Sequence, residues 1–131
     1  MKTVLIIDSD LGFVFWLGRI LADAGCQPLP ARDASEAGAL LGQLNAEIDL
    51  LILNPSLTGA DDFANALRRL RQNVKILAAL SDADQSAAQV QGADIIARKP
   101  VQLDGATCRQ WVGMIKQVLG ILANGPGGTL S

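Results

Sequence analysis

Four consecutive apolar residues, Leu50–Leu53, run without a polar break into Asn54-Pro55, and no other feature restricts the fold as much. A strand covered on both faces reads as an uninterrupted apolar run, whereas a strand with one wet face alternates. Open parallel sheets gather ligands and chemistry at the carboxyl ends of their central strands. Asn54 stands at that end, with Pro55 and Ser56 just beyond it.

Thr3–Ile7 reads as a second buried strand and leads into Asp8-Ser9-Asp10, where Asp10 can cap a helix. On that helix Phe13, Val14, Trp16, Leu17, Ile20, Leu21 and Ala24 share a broad core face, and Gly25 supplies the stop. The opposite face carries Leu11, Phe15, Gly18 and Ala22, and the helix has only Arg19 and Asp23 as charges. Two readings stay open: scattered surface apolar groups, which are common, or a packing surface for a partner or a second copy in a homodimer.

Pro28 and Pro30 lack the N–H that a central strand needs, so the strand at 26–31 is expected at a sheet edge. Asp33 and Glu36 form a plausible capping box for a helix with Ala37, Leu40, Leu41 and Leu44 inward, weakened by Gly38 and Gly42. Asp61 or Asp62 can start a third helix that buries Phe63, Leu67 and Leu70 and shows Arg68, Arg69 and Arg71 to water. A fourth strand is expected over 74–80, and a weakly anchored helix over 81–91 with little beyond alanines and Val90 to bury. A fifth strand, 95–97, ends at Arg98-Lys99-Pro100. The last helix, 104–123, places Cys108, Trp111, Val112, Ile115, Leu119 and Leu122 on one side, with Met114 and Ile121 near its outer edge.

Strand and helix alternating five times in 131 residues imply an α/β fold: a doubly wound, five-stranded parallel sheet with helices on both faces. A proline-bearing second strand at the edge fits the order 2-1-3-4-5, which brings Asp8 and Asn54 together at the switch point. One domain over 1–123 is expected, followed by a flexible tail over 124–131.

Composition narrows the chemistry. Without histidine there is no Ser-His-Asp hydrolase, His-based metal site or phosphohistidine donor. Eleven Lys plus Arg against 13 Asp plus Glu, with no basic block, argue against nucleic-acid binding. Cys26 and Cys108 lack metal-ligand spacing and read as reduced, packed thiols, which implies a cytoplasmic protein. No apolar run approaches the ~18 residues of a membrane span.

VLIIDSD, DLLILNPSLTGADDF and GADIIARKPV together resemble the acidic first strand, the phosphoacceptor strand and the Lys-Pro segment of response-regulator receiver domains, the CheY-like family, whose fold is also flavodoxin-like. The resemblance covers residues 3–123. It implies two-component, phosphorelay signalling: an aspartate takes a phosphoryl group from a phosphohistidine, assisted by Mg2+ on acidic residues, a lysine and a Ser or Thr. Transferred onto this chain, Asp8 matches the first acid and metal ligand and Lys99 the lysine, with a cis bond to Pro100 as is typical of the family. Ser9 replaces the second acid, Asn54 the phosphoacceptor and Ala79 the Ser or Thr, while Ile96 takes the place of the switch aromatic.

An amide cannot form the acyl phosphate that a carboxylate forms, so Asn54 is not expected to be phosphorylated. Two of three carboxylates are gone, each forfeiting roughly 1–4 kcal/mol of gross attraction for a cation at about 4 Å, so Mg2+ binding is expected to be weak or absent. Asp8 is then the one firm carboxylate within reach of Lys99, giving a standing ion pair with Asn54 hydrogen-bonded between them, unless Lys99 snorkels to water. Asp49 lies about 16 Å down the strand and cannot substitute, while Asp10, Ser56 and Asp61 are the secondary acceptors to consider.

The expected function is a phosphorylation-independent interaction module without enzymatic activity, bound to a histidine kinase or an effector. The family surface of fourth helix, fifth strand and fifth helix would present Val90, Ile96, Met114 and Ile121, and the first helix Leu11 and Phe15. A receiver with weak Mg2+-dependent phosphoacceptance elsewhere is the alternative. A nucleotide- or flavin-binding protein fits less well, because Asp8-Ser9-Asp10 repels phosphate and no Gly-rich phosphate loop occurs.

Overall fold

The computed structural model describes residues 2–44, 47–81 and 92–120, with the side chain of Leu44 left out. Its elements are β1 (Thr3–Ile7), α1 (Leu11–Asp23), β2 (Gln27–Ala31), α2 (Ala34–Leu44), β3 (Leu50–Leu53), α3 (Ala60–Leu70), β4 (Lys75–Leu80), β5 (Ile95–Arg98) and α4 (Gly105–Leu119). The helix expected over 81–91 with Val90, the last turn with Ile121 and Leu122, and the tail fall outside the described residues.

The five strands are all parallel, in the expected order β2-β1-β3-β4-β5, which puts β2 at an edge as the proline argument requires. Gln27 N–H donates to Lys2 O and Asp8 N–H to Ala31 O, so the odd-numbered residues of β2 bond β1. Pro28 and Pro30 therefore occupy the outward positions, where a missing N–H costs nothing.

Alternation along the strands builds two cores. Val4, Ile6, Leu50, Ile52, Leu77 and Ala79 pack under α1 and α4, with Phe13, Leu17, Trp111 and Ile115. Leu5, Ile7, Leu51, Leu53 and Ile76 pack on the other face under α2 and α3, with Ala37, Ala60 and Leu67. Both sheet faces are thus dry, which is why β1 and β3 read as unbroken apolar runs.

Helix ends follow the local chemistry. Asp10 caps α1 by accepting from Phe13 N–H at 3.2 Å. At its other end Cys26 N–H donates to Leu21 O and Gly25 N–H to Ala22 O, a Schellman closure that needs Gly25 at φ 85°. Glu36 N–H donates to Asp33 Oδ1, but the Glu36 carboxylate accepts from Arg32 N–H rather than closing the box on Asp33.

Three expectations change. Helix α3 starts at Ala60 behind a left-handed Gly59, so Asp61 and Asp62 lie in its first turn, where the helix dipole favours them, and not at its cap. Leu70 is 81 % exposed. The inward stripe of the helix is Ala60, Phe63, Ala64 and Leu67, and Leu70, its last residue, lies outside it. The three arginines are also not one solvated face: Arg68 pairs with Asp94 at 3.0 Å and Arg71 with Glu47 at 3.4 Å.

Candidate functional site

β1 and β3 are neighbours with Ile7 opposite Leu53, so the next residues, Asp8 and Asn54, emerge side by side at the carboxyl edge of the sheet. Asn54 N–H donates to Ile7 O at 3.0 Å, and both residues are buried, 2 % exposed for Asp8 and 8 % for Asn54. Lys99 arrives at the same place from the end of β5, its backbone N–H bonded to Leu80 O at 2.7 Å. Lys99 Nζ lies 3.0 Å from Asp8 Oδ2.

Both Asp8 carboxylate oxygens have a partner, since its Oδ1 accepts from Asp10 N–H at 3.0 Å while Oδ2 faces Lys99. The ammonium also reaches Asp10 Oδ2 at 3.5 Å and sits 5.1 Å from the centre of the Phe13 ring. Asp8 is therefore not the only carboxylate in reach of Lys99. Asp8 and Asp10 are two apart at a strand end, a spacing that already placed both at the mouth. Phe13, one turn into α1, adds cation–π attraction and joins Trp16 and Trp111 in an aromatic cluster with ring centroids 5.6–6.2 Å apart.

Asn54 does not bridge the pair. Its Oδ1 accepts from Ser56 N–H at 2.9 Å, an Asx turn that folds the amide back on its own loop. Ser9 is exposed, and Ala79 places only a buried methyl on the α1/α4 side of β4. Lys99-Pro100 is trans, since no peptide bond among the described residues is cis; trans is the lower-energy isomer of an X–Pro bond unless the surroundings demand otherwise. Asp49 lies at the far end of β3, where its carboxylate accepts from Thr3 N–H at 2.8 Å.

The donor set does not fit Mg2+, which asks for octahedral oxygen coordination built on carboxylates. The Asp8 oxygens are taken by Lys99 and the Asp10 N–H, Asp10 is the α1 cap, and the amide oxygen of Asn54 is held by Ser56. Among the described residues no three His, Cys, Asp or Glu side chains are grouped to hold a metal. Cys26 is a packed thiol, its pKa pushed up mainly by burial.

The interaction residues separate. Phe15 is 71 % exposed and Leu11 is also open, but Gly18 faces Pro28 of β2, so that part of the stripe is an internal contact. Ile96 is exposed on β5, and Met114 is half-buried and lines a cleft of about 360 Å³ with Trp111 and Val101. Sequence periodicity placed Met114 at an edge but could not show a cleft, which depends on how the loop after β5 leaves the sheet. Among the described residues no helix is long and apolar enough to cross a membrane.

No family model and no curated protein matches the chain. Solved structures do. A CheY-like receiver domain protein from Methanospirillum hungatei superposes with TM-score 0.75 at 23 % identity, over 92 % of this chain and 94 % of that one. A response regulator receiver protein from Burkholderia phymatum gives 0.73 at 20 % identity, over 93 % and 98 %. A putative response regulator from Chloroflexus aurantiacus gives 0.71 at 24 % identity, over 91 % and 98 %. With the strand order and the switch-point site, these likenesses show that the chain has the fold of the CheY-like response-regulator receiver domains.

Proposed function

We propose that this protein is a receiver-like signalling domain of a two-component pathway that works as a phosphorylation-independent interaction module, cytoplasmic and without enzymatic activity of its own. Its partner is a histidine kinase or an effector. The observation that carries the reading is the state of the mouth: an amide, Asn54, stands at the carboxyl end of β3, where the resemblance puts the phosphoacceptor, and the Lys99 ammonium is already paired with Asp8 and Asp10. One structural neighbour, from Thermotoga maritima, is described in complex with Mg(2+)-BeF. The same chemistry here would have to displace Lys99 and would find no carboxylate at residue 54.

The test is an amide NMR titration with Mg2+ and then beryllofluoride, a phosphoryl mimic, with mass spectrometry after incubation with a small-molecule phosphodonor. Signals of Asp8, Asn54 and Lys99 should stay fixed and no mass should be gained. Saturating shifts at millimolar Mg2+ would sink the reading.

A further inference from the structure

The cleft of about 360 Å³ between the end of β5, the loop after it and α4 is lined by one cation and by no acid. Arg98, Gln102, Thr107 and Gln110 supply its polar part, and Trp111 and Met114 much of its apolar part. The volume lies at the low end of the range for small-molecule sites. Arg98, Gln102 and Gln110 are exposed, and none of the three side chains has a hydrogen bond or an ion pair among the described residues. Thr107 is already engaged with the Asp104 cap. Elsewhere at the carboxyl edge of the sheet the polar groups are taken, Asp8, Asp10 and Lys99 by one another and Asn54 by its own loop.

The charge inventory sets the class of ligand. In a chain of net −2 this cleft is locally positive, which favours an anion. One guanidinium balances one negative charge, and its planar fork matches the two oxygens of a carboxylate. A phosphate dianion would leave one charge uncompensated. The two Gln amides can donate to the remaining lone pairs, and Trp111 and Met114 suit an apolar body.

We infer that this cleft binds a small organic carboxylate, with the carboxylate on Arg98 and the Gln amides and the apolar body against Trp111 and Met114. Lys99 lies between Arg98 and Pro100, which both line the cleft, and its ammonium closes the mouth on Asp8 and Asp10. Occupancy of the cleft thus bears on the segment that carries Lys99, an input that bypasses Asn54. For that signalling role the inference rests on the proposed function, but the binding itself does not.

The experiment is side-chain NMR of the whole chain titrated with 2-naphthoate, with its uncharged amide and with 2-naphthyl phosphate. Naphthoate should shift the Trp111 indole N–H and the Met114 methyl saturably, and bind at least about tenfold more tightly than the amide, as hydrogen bonds to a charged group are worth. Arg98→Gln should abolish that preference. Arg98→Glu should transfer it to 2-naphthylmethylammonium, an inversion that misfolding cannot imitate. The inference is overturned if naphthoate and its amide bind alike, if the phosphate binds more tightly, if Arg98→Glu brings no inversion, or if no probe gives a saturable shift at Trp111 and Met114. Each of these leaves the Mg2+ and beryllofluoride test untouched, so the two readings fail separately.

Discussion

Lys99 Nζ and Asp8 Oδ2 stand 3.0 Å apart with only 10 % and 2 % of their side chains exposed, although 91 residues separate them in the chain. The contact ties the end of β5 to the end of β1 across the mouth of the sheet. A buried pair of this kind is worth little against an apolar replacement of both partners, but removing one partner strands the other charge. Lys99→Met should therefore cost about 3–5 kcal/mol in urea denaturation. Adding Asp8→Asn to it should recover much of that loss. A single variant as stable as the parent would mean that water already reaches Asp8.

Asn54→Asp tests how far the site is from a metal site. It adds a third carboxylate to the mouth that already holds Asp8 and Asp10, at a position 8 % exposed. The added charge should lower stability in the absence of divalent ions, since like charges share a buried mouth. Mg2+ should restore part of it and shift the amide signals of Asp8 and Lys99, whereas the parent chain should not respond. If Mg2+ leaves the variant unchanged, the standing Lys99 contacts and not residue 54 are what exclude the ion.

What the sequence made legible was whatever short-range chemistry decides. Unbroken apolar runs announced β1 and β3, Pro28 and Pro30 announced an edge that fits the observed strand order, and Asp10 announced the α1 cap, while the meeting of Asp8 with Lys99 followed from the resemblance to receiver domains. The losses are long-range. Arg68 reads as solvated on its own helix, yet its guanidinium donates to Gly92 O at 2.7 Å and to Asp94, 26 residues away. Leu70 fits an apolar stripe by spacing alone, but the helix ends there and the chain turns away. Asn54 was expected to span the ion pair, and the Asx turn at Ser56 won because it is local.

Glycine positions give a paired prediction. Nothing lies within 4 Å of a Cβ built at Gly38 in α2, and its backbone is helical, so Gly38→Ala should raise stability by up to about 1 kcal/mol. Gly59, at φ 80° before α3, needs the left-handed region, and Gly59→Ala should lower stability by roughly 1–2 kcal/mol. Thermal melts of the two variants should move in opposite directions. Equal shifts would place the strain elsewhere.

Asp104 supplies a pH prediction. It caps α4 by accepting from Thr107 N–H at 2.8 Å, and that backbone hydrogen bond holds its carboxyl below the usual carboxylate range. A depressed folded pKa means that the stabilisation is present above the unfolded value, near pH 3.9, and is lost as pH falls through the folded value. Asp104→Asn keeps a capping side chain but removes the titration. Urea stability followed from about pH 5 to pH 3 should therefore fall more steeply for the parent than for the variant. Because the group lies open to solvent, the difference should also shrink with added salt, which screens its attraction to the helix dipole and to Arg109. Parallel slopes would show that the α4 cap does not depend on the charge of Asp104.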